Sequence, residues 1–145
     1  MNLVLISRSN LKLAQTKQDL LDINPTIKIK TIQFDFVKDG SDVYASKLQS
    51  IPAKVSLLIN NVGFLKPLPF EFTSKADVYA TVLANIYPTT FVTKFLVDRN
   101  CLKAILNLSG GVADRAWPSV MGQYSGAKRF MSVLSEGLNH ELKYV

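Results

Sequence analysis

Apolar positions along the chain switch between two rhythms. Residues 2–7 carry an unbroken Leu-Val-Leu-Ile, the mark of a strand buried on both faces. Ser9-Asn10 supplies a helix cap, and residues 11–23 then direct Leu13, Leu20 and Leu21 toward a core until Asn24-Pro25 stops the run. Residues 27–36 alternate at first, through Ile27 and Ile29, and shift phase at Ile32 and Phe34, as suits a strand near a sheet edge. Asp39-Gly40-Ser41 reads as a turn and cap before a second helix over 42–51, which Pro52 ends. Residues 55–59 form another buried strand, running into Asn60-Asn61-Val62-Gly63 and a proline-bearing loop over 66–69. A long helix is predicted over 74–98, kinked at Pro88. A further buried strand over 104–108 ends at Ser109-Gly110-Gly111, and residues 112–121 are irregular. A last amphipathic helix, 122–143, carries Phe130, Val133, Leu134, Leu138 and Leu142.

Strand and helix therefore alternate four times. Alternation with aliphatic strands predicts one α/β domain, a doubly wound parallel sheet covered by helices. Ligands of such sheets bind at the carboxyl ends of strands, which directs attention to Arg8, Asp35, Asn60 to Gly63, and Ser109. With 145 residues, 48% of them apolar, the chain has room for one core. Its one cysteine, Cys101, and one histidine, His140, exclude an internal disulfide, a thiolate metal site and a histidine cluster, so no metal is expected. No apolar run approaches the roughly 18 residues that span a bilayer, and no signal-peptide pattern opens the chain. By these residues alone the protein is expected in the cytosol. The formal charge of +6 comes from scattered lysines with no run of five, which fits a solvated surface or a phosphate-bearing ligand better than nucleic acid.

The sharpest chemical feature is Tyr124-Ser125-Gly126-Ala127-Lys128. Tyrosine and lysine four apart on a helix share one face. An ammonium near a phenol favours the phenolate, which makes a usable acid from a group whose reference pKa is about 10. Alone, such a pair is ordinary surface decoration. Here it follows, in order, Asn60-Asn61-Val62-Gly63 at one strand end, Asn85 within the long helix, and Ser109 at another strand end. Taken together these resemble the short-chain dehydrogenase/reductase superfamily over the whole chain. Leu-Val-Leu-Ile-Ser-Arg-Ser, Leu-Leu-Ile-Asn-Asn-Val-Gly and Ala-Ile-Leu-Asn-Leu-Ser are similar to segments of its microsomal group, which holds very-long-chain 3-oxoacyl-CoA reductases and 17-beta-hydroxysteroid dehydrogenases.

The resemblance implies a partial Rossmann-like domain over residues 1–145 and a carbonyl reductase acting on a 3-oxoacyl-CoA or oxosteroid. It implies that Tyr124 gives a proton to the carbonyl as hydride arrives. Lys128 lowers the tyrosine pKa and binds the nicotinamide ribose, Ser109 holds the carbonyl oxygen, and Asn85 anchors a water of the proton relay. Asn61, Val62 and Gly63 line the adenine side, and Asp35 accepts from the adenine amine. A fold of this kind that prefers NAD places an acid after the strand that residues 2–7 would form. Ser7-Arg8-Ser9 stands there instead, and Arg8 suits the 2′-phosphate of NADP.

The sequence also departs from the family. None of its seven glycines forms the Thr-Gly-x-x-x-Gly-x-Gly turn that cradles a pyrophosphate. The chain is therefore expected to be a fragment, incomplete at both ends, marginally stable and a poor binder of NADP. The family's serine stands thirteen residues before the tyrosine. That position is Gly111 here, and either Ser109 or Gly110 fills the serine's place. Trp117, Pro118 and Met121 are candidates for an apolar substrate pocket or for loop packing. Family members dimerise through the helices corresponding to 74–98 and 122–143, and the microsomal group is anchored in the endoplasmic reticulum membrane. The competing reading is a non-catalytic remnant or interaction protein of the same fold.

Overall fold

The computed structural model describes residues 2–39, 41–52, 54–115 and 121–142. The chain divides into two compact units, residues 1–52 and 53–145.

In the first unit, β1 (Asn2–Ser7) leads to α1 (Asn10–Ile23), β2 (Lys28–Gln33) and α2 (Ser41–Gln49). Ser9 caps α1, its hydroxyl accepting the Lys12 N–H, which satisfies one of the helix's orphan donors. β1 and β2 run parallel, in register from Asn2 with Lys28 to Ser7 with Gln33. β2 ends three residues sooner than its apolar pattern suggests. Phe34 still gives its N–H to Ser7 O, but Asp35 turns the chain: Asp39 Oδ2 accepts the Asp35 N–H and Asp35 Oδ1 accepts the Val37 N–H. The phase shift at Ile32 and Phe34 buries both, and Phe34 packs its ring at 4.5 Å from Phe36 and 4.6 Å from Tyr44. Leu13, Leu48 and Ile51 complete this core.

In the second unit, β3 (Leu57–Asn60) is followed by a short 3₁₀ turn at Phe70–Phe72, then α3 (Lys75–Asn85), α4 (Tyr87–Val97), β4 (Ala104–Asn107), a second 3₁₀ turn at Gly111–Ala113, and α5 (Gly122–Glu141). The single long helix expected over 74–98 is two helices. Pro88 has no N–H to give to the Ala84 carbonyl, and its ring opposes that carbonyl. The break falls at Ile86, and Pro88 takes the second position of α4, where a missing N–H costs nothing. β3 and β4 are parallel, pairing Leu57 with Ala104 and Asn60 with Asn107. Ala80, Ala84, Val92, Leu96, Ala127 and Met131 form the core beneath. These two strands read as buried on both faces. Among the described residues only one face is covered, and Leu57, Ile59 and Leu106 on the other are about half exposed, at 51%, 52% and 49%. The four strands thus make two parallel ladders of two strands each. The C-terminal end of the predicted last helix, at Lys143, the predicted turn residue Gly40, and Trp117 and Pro118 lie outside the described residues.

Candidate functional site

α5 puts Tyr124 and Lys128 one turn apart, and the Lys128 ammonium lies 5.5 Å from the centre of the Tyr124 ring. Lys128 is 4% exposed. Its Nζ donates to Leu108 O, just past β4, at 2.7 Å and makes a weaker contact of 3.7 Å with Met131 Sδ. No carboxylate answers this charge among the described residues. Burial alone therefore pushes the ammonium's pKa below the ordinary lysine value.

The loop after β3 is pressed against this lysine. Asn85, fully buried at the last position of α3, donates from Nδ2 to Phe64 O and to Thr81 O, each at 2.8 Å, and accepts the Phe64 N–H on Oδ1 at 3.4 Å. A Cβ on Gly63 would stand 3.1 Å from Asn85 Oδ1 and 3.7 Å from Lys128 Nζ. Only a residue without a side chain passes this point without displacing its neighbours. Val62 is half-buried and Asn61 exposed.

The Ser109 hydroxyl is 2.9 Å from Lys128 O and 3.0 Å from Ser132 Oγ, so it faces α5 one turn past Tyr124. Asn60, Gly63, Asn85, Ser109, Tyr124 and Lys128 therefore come together through β3, α3, β4 and α5. Arg8 and Asp35 belong to the first unit. Arg8 is exposed at the end of β1 and enters no ion pair among the described residues. Asp35 holds its own turn together through Oδ1.

Sequence reasoning missed the polar chain behind the site. Asn60 Nδ2 donates to Asn107 Oδ1 at 2.7 Å and to Thr93 Oγ1 at 3.1 Å, and Asn107 Nδ2 donates to Ser135 Oγ at 2.7 Å. The signal was an asparagine at the same offset in two aliphatic strands, Leu-Leu-Ile-Asn and Ala-Ile-Leu-Asn. Among the described residues, no group of three His, Cys, Asp or Glu side chains could hold a metal ion. No helix among them is long and apolar enough to cross a membrane.

Comparison with known proteins places this arrangement. The family model for short chain dehydrogenase matches residues 1–145. A very-long-chain 3-oxoacyl-CoA reductase-like protein of Arabidopsis thaliana is 34% identical over 151 residues, covering 99% of this chain and 47% of that protein. Human 17-beta-hydroxysteroid dehydrogenase type 3 is 31% identical over 150 residues, with 99% and 47% covered. The chain thus spans less than half the length of these two relatives. A short-chain dehydrogenase from Sphingobium yanoikuyae, solved in complex with NADPH, superposes with a TM-score of 0.85 at 25% identity, over 97% of this chain and 56% of that one. The parallel α/β order, the helix bearing Tyr124 and Lys128 and these likenesses agree: the chain belongs to the short-chain dehydrogenase family.

Proposed function

We propose that the protein carrying these residues is an NADP-dependent oxidoreductase that reduces the carbonyl of a 3-oxoacyl-CoA or oxosteroid-type substrate to an alcohol. The observation that carries this reading is the buried, uncompensated Lys128 ammonium against the Tyr124 ring. A phenol beside a held positive charge is a proton donor whose conjugate base is stabilised in place. The names of the relatives supply the substrate class.

The residues present suit a nicotinamide dinucleotide. Leu108 O takes one Lys128 N–H and the Met131 sulfur a weak second, which leaves one donor for a ribose hydroxyl. Bare backbone at Gly63 lets the loop lie close to that donor. Asn61, Val62 and Gly63 would line the adenine side. Arg8 would pair with the 2′-phosphate, and the second carboxylate oxygen of Asp35 would accept from the adenine amine. When bound, the reduced cofactor supplies the hydride that goes to the carbonyl carbon. Tyr124 gives its phenolic proton to the carbonyl oxygen, and Lys128 stabilises the charge left behind. Asn85 sets the loop against Lys128 and would anchor a relay water. The donor that holds the carbonyl oxygen comes from the end of β4, at Ser109 or Gly110.

Exposed Tyr79, Tyr87 and Phe91 along α3 and α4, with Val133 on α5, support pairing of two copies through these helices. The relatives' lipid and steroid substrates support a place at the endoplasmic reticulum membrane for the whole protein. A second reading, a non-catalytic binding role, draws support from the bare Leu57, Ile59 and Leu106 face. Reduction of a 3-oxoacyl-CoA with NADPH, measured on the complete reading frame, decides between them. Tyr124→Phe is expected to lower turnover by about 10²–10⁴-fold. Turnover unaffected by that change would refute the Tyr/Lys chemistry, and its absence from the parent protein would favour the binding role.

A further inference from the structure

The turn that carries Arg8 is held from the neighbouring strand by one side chain. Gln33, the last residue of β2, sits opposite Ser7 in the parallel register. Its carboxamide reaches past the end of the ladder in two directions. Nε2 donates to the Arg8 carbonyl at 3.2 Å, and Oε1 accepts from Asn10 Nδ2 at 2.8 Å. Arg8 and Asn10 flank Ser9, the residue that caps α1. One amide therefore fixes the backbone just before the cap and the side chain just after it.

An arginine that meets a phosphate needs its Cα placed and its approach direction set, because the fork of donors is rigid while the stem is not. A mobile strand-to-helix turn would spread that guanidinium over many orientations, and ordering them on binding would weaken the contact. The Gln33 bridge removes that freedom in advance. The bridging amide is neutral and adds no charge that would oppose an anion.

We propose that Gln33 is a positioning residue for Arg8, and that through it the protein distinguishes a 2′-phosphorylated nucleotide from one with a free 2′-hydroxyl. The inference rests on the reading of Arg8 as the 2′-phosphate partner and adds the residue that orients it.

The test compares binding of 2′,5′-ADP and 5′-AMP, which differ in the 2′-phosphate alone, by nuclear magnetic resonance titration of the chain and its variants. The parent is expected to prefer 2′,5′-ADP. Gln33→Met, which keeps length and loses both hydrogen bonds, is expected to reduce that preference about three- to tenfold while 5′-AMP binding stays the same. Asn10→Ala, which removes one of the two contacts, is expected to shift the preference in the same direction by less. Arg8→Ala is expected to abolish it. A parent without preference, or an Arg8→Ala variant that keeps it, overturns the Arg8 reading and this inference with it. A Gln33→Met variant with the parent's preference, beside an Arg8→Ala variant without it, overturns the role of Gln33 alone. Should Gln33→Met disturb the fold, 5′-AMP binding falls too, and Gln33→Glu then decides. That variant keeps the acceptor toward Asn10, loses the donor toward Arg8 and places a negative charge near the phosphate, so it must depress 2′,5′-ADP binding selectively. Equal loss of both ligands in Gln33→Glu overturns the proposal.

Discussion

The Lys128 ammonium donates to the Leu108 carbonyl across 2.7 Å, and this link joins the helix that carries Tyr124 to the end of β4. It holds a cation in a nearly closed space without an anion. Burial depresses the lysine pKa, so the folded state binds the proton less tightly than the unfolded chain. Between the lowered folded value and the unfolded value near 10.4 the unfolded state carries more protons. Stability from this group therefore rises with pH through that window, and the penalty is fully present below it. Lys128→Met is expected to raise the melting temperature at neutral pH and, under the function proposed above, to abolish the carbonyl reduction. The difference in melting temperature between variant and parent is expected to shrink as pH climbs through that window. A variant less stable than the parent at neutral pH contradicts the account.

Gly63 and Asn85 are expected to act as a unit. A Cβ at 63 would press on Asn85 Oδ1 at 3.1 Å, and Asn85 has no space to retreat because three hydrogen bonds hold it. Gly63→Ala is expected to cost about 1–3 kcal/mol by overpacking. Asn85→Ala is expected to cost about 1–3 kcal/mol, since the half-buried backbone of Phe64 and the buried Thr81 carbonyl lose this partner. In the double variant the alanine at 63 meets a smaller neighbour, so the combined cost falls below the sum. Denaturant unfolding of the four proteins measures this, and strict additivity refutes the coupling.

The end of β4 makes a sharper prediction. Ser109 keeps its hydroxyl on α5, at Lys128 O and Ser132 Oγ. Among the described residues a Cβ on Gly110 would meet only Val112 Cγ2, at 3.9 Å, and Gly110 has an extended backbone that any residue adopts. Gly110→Ser is therefore expected to fold as the parent does. It is expected to raise turnover of the complete reading frame by about tenfold or more, by supplying the donor that Ser109 withholds. If Ser109→Ala instead loses about 10²-fold and Gly110→Ser gains nothing, Ser109 holds the carbonyl oxygen.

The half-exposed leucine and isoleucine face of β3 and β4 is expected to make the 145-residue chain self-associate. Ile59→Lys with Leu106→Lys is expected to lower light scattering at a given concentration. Scattering that does not change with these substitutions locates the association elsewhere.

Much of this was legible in the residues. Period and punctuation placed the four strands and all the helices but one, merging α3 and α4 into a single run, because aliphatic runs, Asn24-Pro25 and Pro52 act locally. The boundaries that moved did so for reasons of contact. Asp35 left β2 because Asp39, four residues on, captures its N–H. The break between α3 and α4 fell at Ile86, two residues before the proline that causes it. Tyr124 and Lys128 were legible because i and i+4 meet on any helix. The Leu108 carbonyl was not, since a main-chain acceptor has no sequence mark. Nor was the orientation of Ser109, which depends on which way the last residue of a strand turns when the ladder stops.

The asparagine pair behind the site bears on how the ladder finds its alignment. β3 and β4 have four residues each, and their aliphatic positions are nearly interchangeable. Slipping by one would turn each amide against the opposite face, and slipping by two would part Asn60 from Asn107 within an apolar layer. Either misalignment leaves a carboxamide unanswered beneath the helices. The pair thus acts as an index mark between two otherwise featureless rulers. It sets the level at which Gly63 and Ser109 leave their strands.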